Sequence, residues 1–296
     1  MTSHGTGVRR PALEVDAVHL VFGGVRALDN VSFAVQPGEA IGIVGSNGSG
    51  KSSLLNCVSG AYRSTSGMIS LNGVNVASRS MHEISRSGVG RTFQGLELPR
   101  DVTALDAVLL GRHGLMSRYG SVMYSLGVPY LTRYERQHRE ASLLALEEVG
   151  CADWAYVKLA EMPFGVVKRV DLARALAGEP SVLLLDEPAA GLGHADRLRL
   201  SEVVSGLASR DLTVLLVEHD MAFVSRVCPR LVVLDTGRVI YDGVTAEALN
   251  DPAVRKAFLG STATEAFAAQ VADQQEPATS PSPAPDPVVP HHQSEE

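Results

Sequence analysis

The sequence predicts an α/β protein: a mainly parallel sheet with helices between its strands, an antiparallel β layer near the N-terminus and a helical subdomain inserted in the middle. Three observations predict it. The glycine-rich turn Gly45-Ser46-Asn47-Gly48-Ser49-Gly50-Lys51-Ser52 joins an apolar, strand-like run to a helix start. Two more apolar runs, residues 182–185 and 213–217, alternate with helix-like stretches and end on polar residues, the pattern of right-handed βαβ units. Between two short runs lies Asn72-Gly73, a strong hairpin signal.

A chain of 296 residues that is 45% hydrophobic and 20% charged has the composition of a globular protein with a substantial core. Its net charge of −7 argues against a general nucleic-acid binder. Cys57, Cys151 and Cys228 are odd in number, widely spaced and without metal-ligand neighbours, which predicts reduced thiols in a cytosolic protein. Arg9 and Arg10 precede no apolar core, so residues 1–14 are not a secretory signal. The apolar stretch 123–131 is short and broken by Gly127 and Pro129, so membrane association must come through a partner.

Taken in order, residues 1–11 are expected to be flexible. Residues 11–37 suggest two or three short strands, with Phe22 in a turn and Pro37-Gly38 closing the set. Residues 40–44 then form a buried strand, and Ser53-Leu54-Leu55 continue the helix that Lys51 and Ser52 begin. The runs 67–71 and 74–76 flank the Asn72-Gly73 turn, and residues 89–94 read as a strand ending on Gln94. Residues 95–177 are mostly helical. Within them, 132–149 carries a mixed charge run at 133–140, expected to be a solvated face, and a stripe of Leu143, Leu144, Leu146 and Val149 expected to be buried. A helix over 166–177 stops at Gly178 and Pro180. Strands at 182–185 and 213–217 enclose a helix over 195–210, and Asp235-Thr236-Gly237 joins a closing hairpin. Residues 261–296, rich in Ala, Pro, Ser, Gln and Glu, are expected to be disordered, apart from a short helix around 265–272; His291-His292 is a solvated pair.

The chemistry follows from where these strands end. Backbone N–H groups of a glycine-rich turn, with a helix dipole behind them, form a concavity for a polyphosphate. Gly45 through Ser53 are its residues; Lys51 is placed to reach the β- and γ-phosphates and Ser52 to ligate Mg²⁺. Asp186-Glu187-Pro188 follows four aliphatics, so one acid is expected to hold Mg²⁺ and the next, Glu187, to polarise the attacking water. His219, ending another strand, is a candidate for the γ-phosphate, Gln94 for sensing metal and water, and Phe22 for stacking on adenine. Ligands of parallel sheets gather at strand carboxyl ends, where Gly45, Asp186 and His219 all fall.

In order and spacing these motifs resemble the ATP-binding cassette family over residues 12–260. The resemblance implies a P-loop NTPase core of the RecA-like type, with the helical subdomain at about 95–177 inserted in it, and ATP and Mg²⁺ as cofactors. Where that family has Leu-Ser-Gly-Gly-Gln, this chain has Met162-Pro163-Phe164-Gly165-Val166. Pro163-Phe164-Gly165 is similar to the branched-chain amino-acid importer ATPases, as are Phe22-Gly23-Gly24-Val25-Arg26-Ala27-Leu28 and Asp186-Glu187-Pro188-Ala189-Ala190-Gly191-Leu192. The long insert resembles the larger of that system's two ATPase subunits. Val166 departs from the usual Gln, and Gly193 from the usual polar residue.

The family resemblance also implies a dimer, homo- or heteromeric, in which the Pro163-Phe164-Gly165 loop of each subunit faces the other's nucleotide. Permease subunits are implied as membrane partners, each docking a short helix in a groove beside Gln94, and a substrate-binding protein as an indirect one outside the membrane. The chain is thus expected at the cytoplasmic face of the membrane, held there by permeases. Urea or amide uptake, lipopolysaccharide export and a soluble, non-transport ATPase of the same family are the competing readings. No heptads and no second phosphate loop support the last of these.

Overall fold

A computed structural model describes residues 10–92, 98–115, 130–210 and 212–259. The N-terminal layer is antiparallel, with strands β1 (Leu13–Phe22), β2 (Val25–Val35), β4 (Ser66–Leu71) and β5 (Val74–Asn75) in the order β2-β1-β4-β5. Two long strands replace the two or three short ones expected between residues 11 and 37. The alternation in β1 is interrupted at Ala17, whose φ of 46° accompanies a register shift between Val15 and Val18, and pairing resumes beyond it. The β4–β5 turn is formed by Asn72 and Gly73 with φ of 51° and 79°, as a two-residue hairpin requires.

The second sheet has the order β10-β9-β3-β8-β7-β6. Its strands are β3 (Ala40–Val44), β6 (Val89–Arg91), β7 (Val182–Asp186), β8 (Thr213–Val217), β9 (Arg230–Asp235) and β10 (Arg238–Val244). From β9 to β6 every pairing is parallel; β10 adds an antiparallel edge. All five residues of β3, β7 and β8 are buried, which is why these strands read as continuous apolar runs rather than alternating ones. The helices are α1 (Lys51–Val58), α2 (Met81–Arg86), α3 (Ala104–Gly111), α4 (Tyr130–Glu148), α5 (Phe164–Ala177), α6 (His194–Ala208), α7 (Met221–Val227) and α8 (Pro252–Leu259).

Among the described residues no helix is long and apolar enough to cross a membrane. Residues 1–9 and 261–296, Gln94 and most of the 123–131 stretch lie outside the described residues.

Two expectations for α4 are corrected. Leu144 is 63% exposed, whereas Ser142, Ala145, Leu146 and Val149 face inward. The helical period selects 142, 145, 146 and 149 as one face, and Leu144 falls off it. The charge run is solvated at 135–137 and at 139–140, but His138 is buried. Its Nδ1 accepts a hydrogen bond at 2.8 Å from Nε of Arg112, a buried arginine just past the end of α3. That guanidinium also donates to the Ala177 carbonyl at the end of α5, so it ties three helices together.

Candidate active site

The glycine-rich loop leaves β3 at Val44 and enters α1 at Lys51. Its conformation depends on missing side chains: a Cβ on Gly45 would collide with the Leu234 carbonyl, and one on Gly50 would lie 2.6 Å from the Ala27 carbonyl. Both glycines also have positive φ, at 156° and 105°. Lys51 is 7% exposed and folds back, with Nζ donating to the carbonyls of Gly45 at 2.8 Å and Ser46 at 2.9 Å. Burial pushes its pKa down and the charge of Glu187 pulls it up. Ser52 is exposed at the start of α1, Ser53 half-buried behind it, and Asn47 and Gly48 form the outer lip. Ser49 is buried, and its Oγ has no hydrogen-bond partner among the described residues.

Asp186 closes β7, two strands from β3, with β8 between them. Parallel pairing brings the carboxyl ends of β3, β8 and β7 to one edge of the sheet, so the loop and the acid pair share a side of the molecule. Asp186 is 5% exposed. Its Oδ2 pairs with Arg91 Nη2 at 3.0 Å, and its buried Oδ1 has no hydrogen-bond partner among the described residues. Burial pushes this carboxyl up from the usual range, and Arg91 draws it back. Glu187 is half-buried, has φ of 45°, and donates its N–H to the Val217 carbonyl at 2.9 Å. A left-handed glutamate costs about 1–3 kcal/mol, a strain that recurs at functional sites.

At the end of β8, Glu218 is fully buried and His219 stands out, its side chain 63% exposed. Glu218 was not among the residues that the sequence singled out. The available signal was its position, a carboxylate directly after five buried aliphatic and threonine residues, as Asp186 follows its own aliphatic run. Phe22 is the last residue of β1, 48% exposed, with its ring edge-on to Tyr62 at a centroid distance of 5.2 Å. Tyr62 was also not foreseen.

Pro163 caps the start of α5, and the exposed Phe164 lies 5.6 Å below the Lys168 ammonium. A Cβ on Gly165 would lie 2.5 Å from Oδ2 of Asp196 in α6, so a larger residue there would displace that carboxylate. Val166, in place of glutamine, is buried. Loop, acid pair and His219 are brought to one sheet edge; Gln94 lies outside the described residues.

The ABC transporter family matches residues 28–190, and the chain is 34% identical over 255 residues to a high-affinity branched-chain amino acid transport ATP-binding protein, BraF, of Pseudomonas aeruginosa. That alignment covers 85% of this chain and 98% of the relative. The chain belongs to the ABC transporter ATP-binding family. Members of this family bind and hydrolyse ATP, and the cassette fold agrees with solved examples. The ADP conformation of an ATP-binding cassette superimposes with a TM-score of 0.73 at 26% identity, covering 85% of this chain and 99% of that one. A dimeric cassette in a post-hydrolysis state, bound to ADP and Pi, gives 0.65 at 25% identity, covering 79% and 98%.

Proposed function

We propose that this cassette energises uptake of branched-chain or related amino acids, as one ATPase of a dimer that sits at the cytoplasmic face of the membrane against permease subunits. The observation that carries the transport class is the end-to-end match to BraF, which spans 98% of that protein and includes the insert between the loop and the acid pair.

In this reading Gly45 through Ser53 cradle the phosphates and Lys51 leaves its two carbonyls to pair with them. Ser52, Asp186 and Gln94 would hold Mg²⁺, an ion that takes its remaining ligands from phosphate and water. The orphaned, buried Oδ1 of Asp186 fits that role. When bound, the ion neutralises charge on the phosphate oxygens. Glu187 takes a proton from water, His219 steadies the γ-phosphate, and Phe22 stacks on adenine with Tyr62 bracing its ring. Pro163, Phe164 and Gly165 face the nucleotide of the second cassette.

A cavity of about 460 Å³ between α2 and β6 on one side and the ends of α3 and α5 on the other is the concave surface that this reading gives to a permease helix. The test is uptake into vesicles that hold this chain, a second cassette, candidate permeases and a binding protein. ATP-dependent accumulation of labelled leucine, abolished by Lys51→Ala, is expected; accumulation of another solute class and none of leucine would overturn the substrate assignment.

A further inference from the structure

The two strand ends that carry Glu187 and His219 are not independent. Glu218, fully buried at the end of β8, reaches sideways with its carboxylate: Oε1 accepts from the Ala189 N–H at 2.8 Å and Oε2 from the His219 N–H at 3.1 Å. In the other direction the Glu187 N–H donates to Val217. A second brace lies outside this one, where Asp220 Oδ2 pairs with Arg197 Nη1 at 2.9 Å and Arg197 Nε donates to the Leu192 carbonyl at 3.0 Å. The 218–220 turn therefore grips the loop after Glu187 at residues 189 and 192. A buried carboxylate is tolerated only while donors meet its oxygens, so Glu218 holds both N–H groups in place as firmly as they hold it.

We propose that Glu218 is a positioning residue for ATP hydrolysis: one buried carboxylate, shared between the N–H groups of Ala189 and His219, sets the spacing between the Glu187 loop and the His219 turn. The inference rests on the reading of Glu187 and His219 given above. Among the described residues the hydrogen bonds to the Glu218 carboxylate come from the backbone at 189 and 219–220 and not from the Lys51 loop, so its replacement is expected to change turnover and leave nucleotide binding in place. An isosteric amide has one oxygen for two donors and turns its own N–H groups toward the other.

The experiment is Glu218→Gln in the full chain, with MgATP affinity measured by equilibrium binding and turnover by phosphate release. The expected result is affinity within about twofold of the parent and kcat lower by about 10- to 100-fold, the effect of displacing reacting groups by a fraction of an ångström to one ångström. Turnover within about twofold of the parent, or binding and turnover falling together, overturns the proposal. Should the glutamine variant not fold, Glu218→Asp, which withdraws the carboxylate by one methylene, takes its place with the same expected split and the same overturning results. Glu187→Gln is made alongside. If it keeps turnover, the base assignment is wrong and this inference falls with it. If it loses turnover while Glu218→Gln does not, the base stands and Glu218 alone loses its role.

Discussion

Arg91 and Asp186 form a buried ion pair, Nη2 to Oδ2 at 3.0 Å, and the same guanidinium donates through Nη1 to Ser59 Oγ at 2.6 Å. Arg91 and Ser59 both line the 460 Å³ cavity. One side chain thus spans from the cavity wall to the carboxylate proposed as metal ligand. Removing one partner of a buried pair leaves the other uncompensated, so Arg91→Gln is expected to cost about 3 kcal/mol, read as a lower urea midpoint. Arg91→Lys is expected to restore only part of it, because a single ammonium cannot occupy both nitrogen positions.

The three cysteines are free and buried. Burial pushes Cys57 up to about 11 and raises Cys151 and Cys228 as well, so thiolate is scarce at neutral pH. Iodoacetamide at pH 8 is expected to leave the folded chain unmodified and to label all three thiols in denaturant, counted by mass spectrometry. Rapid labelling of any one in the folded chain would contradict the burial.

His138 supplies a pH dependence. Desolvation, and then the Arg112 charge, hold its pKa below the ordinary 6.5. Since the folded pKa is depressed, the unfolded chain takes up a proton first on acidification; the stabilisation is present above about pH 6.5 and is lost as the pH falls. His138→Asn keeps an acceptor near Nδ1 and removes the titration. Its melting temperature is expected to fall less than that of the parent between pH 7 and pH 5.5.

Much of this was legible in the sequence for a local reason. The glycine-rich loop between β3 and α1, the Asp186-Glu187 pair at the end of β7 and the Asn72-Gly73 turn are each specified by adjacent residues, and all three take the expected places in the fold. What was not legible depends on residues distant in the chain. Nothing near Arg91 announces Asp186, 95 positions away, and nothing near Glu218 announces the Ala189 N–H. Leu144 is apolar but its angle around the helix turns it to solvent, and His138 is buried although its neighbours in sequence are charged.

Pro163 has no hydroxyl to offer a phosphate and Val166 is buried, so the loop at 163–166 lacks polar side-chain groups at both positions. In the dimer proposed above, this loop faces the partner's nucleotide and the Lys51 site relies on the partner's loop. ATP turnover of the chain alone is expected to be well below that of the complex with a second cassette, measured by phosphate release at matched concentration. Equal rates would contradict the proposed reliance of the Lys51 site on a second cassette.

The loop ending in Lys51 and Ser52 and the acids at 186 and 187 are proposed to form one hydrolytic site. Glu187→Gln probes that site, through MgATP binding and turnover in the same preparation. Binding near the parent value with turnover lower by about 10²–10⁴-fold is predicted; near-normal turnover would contradict it.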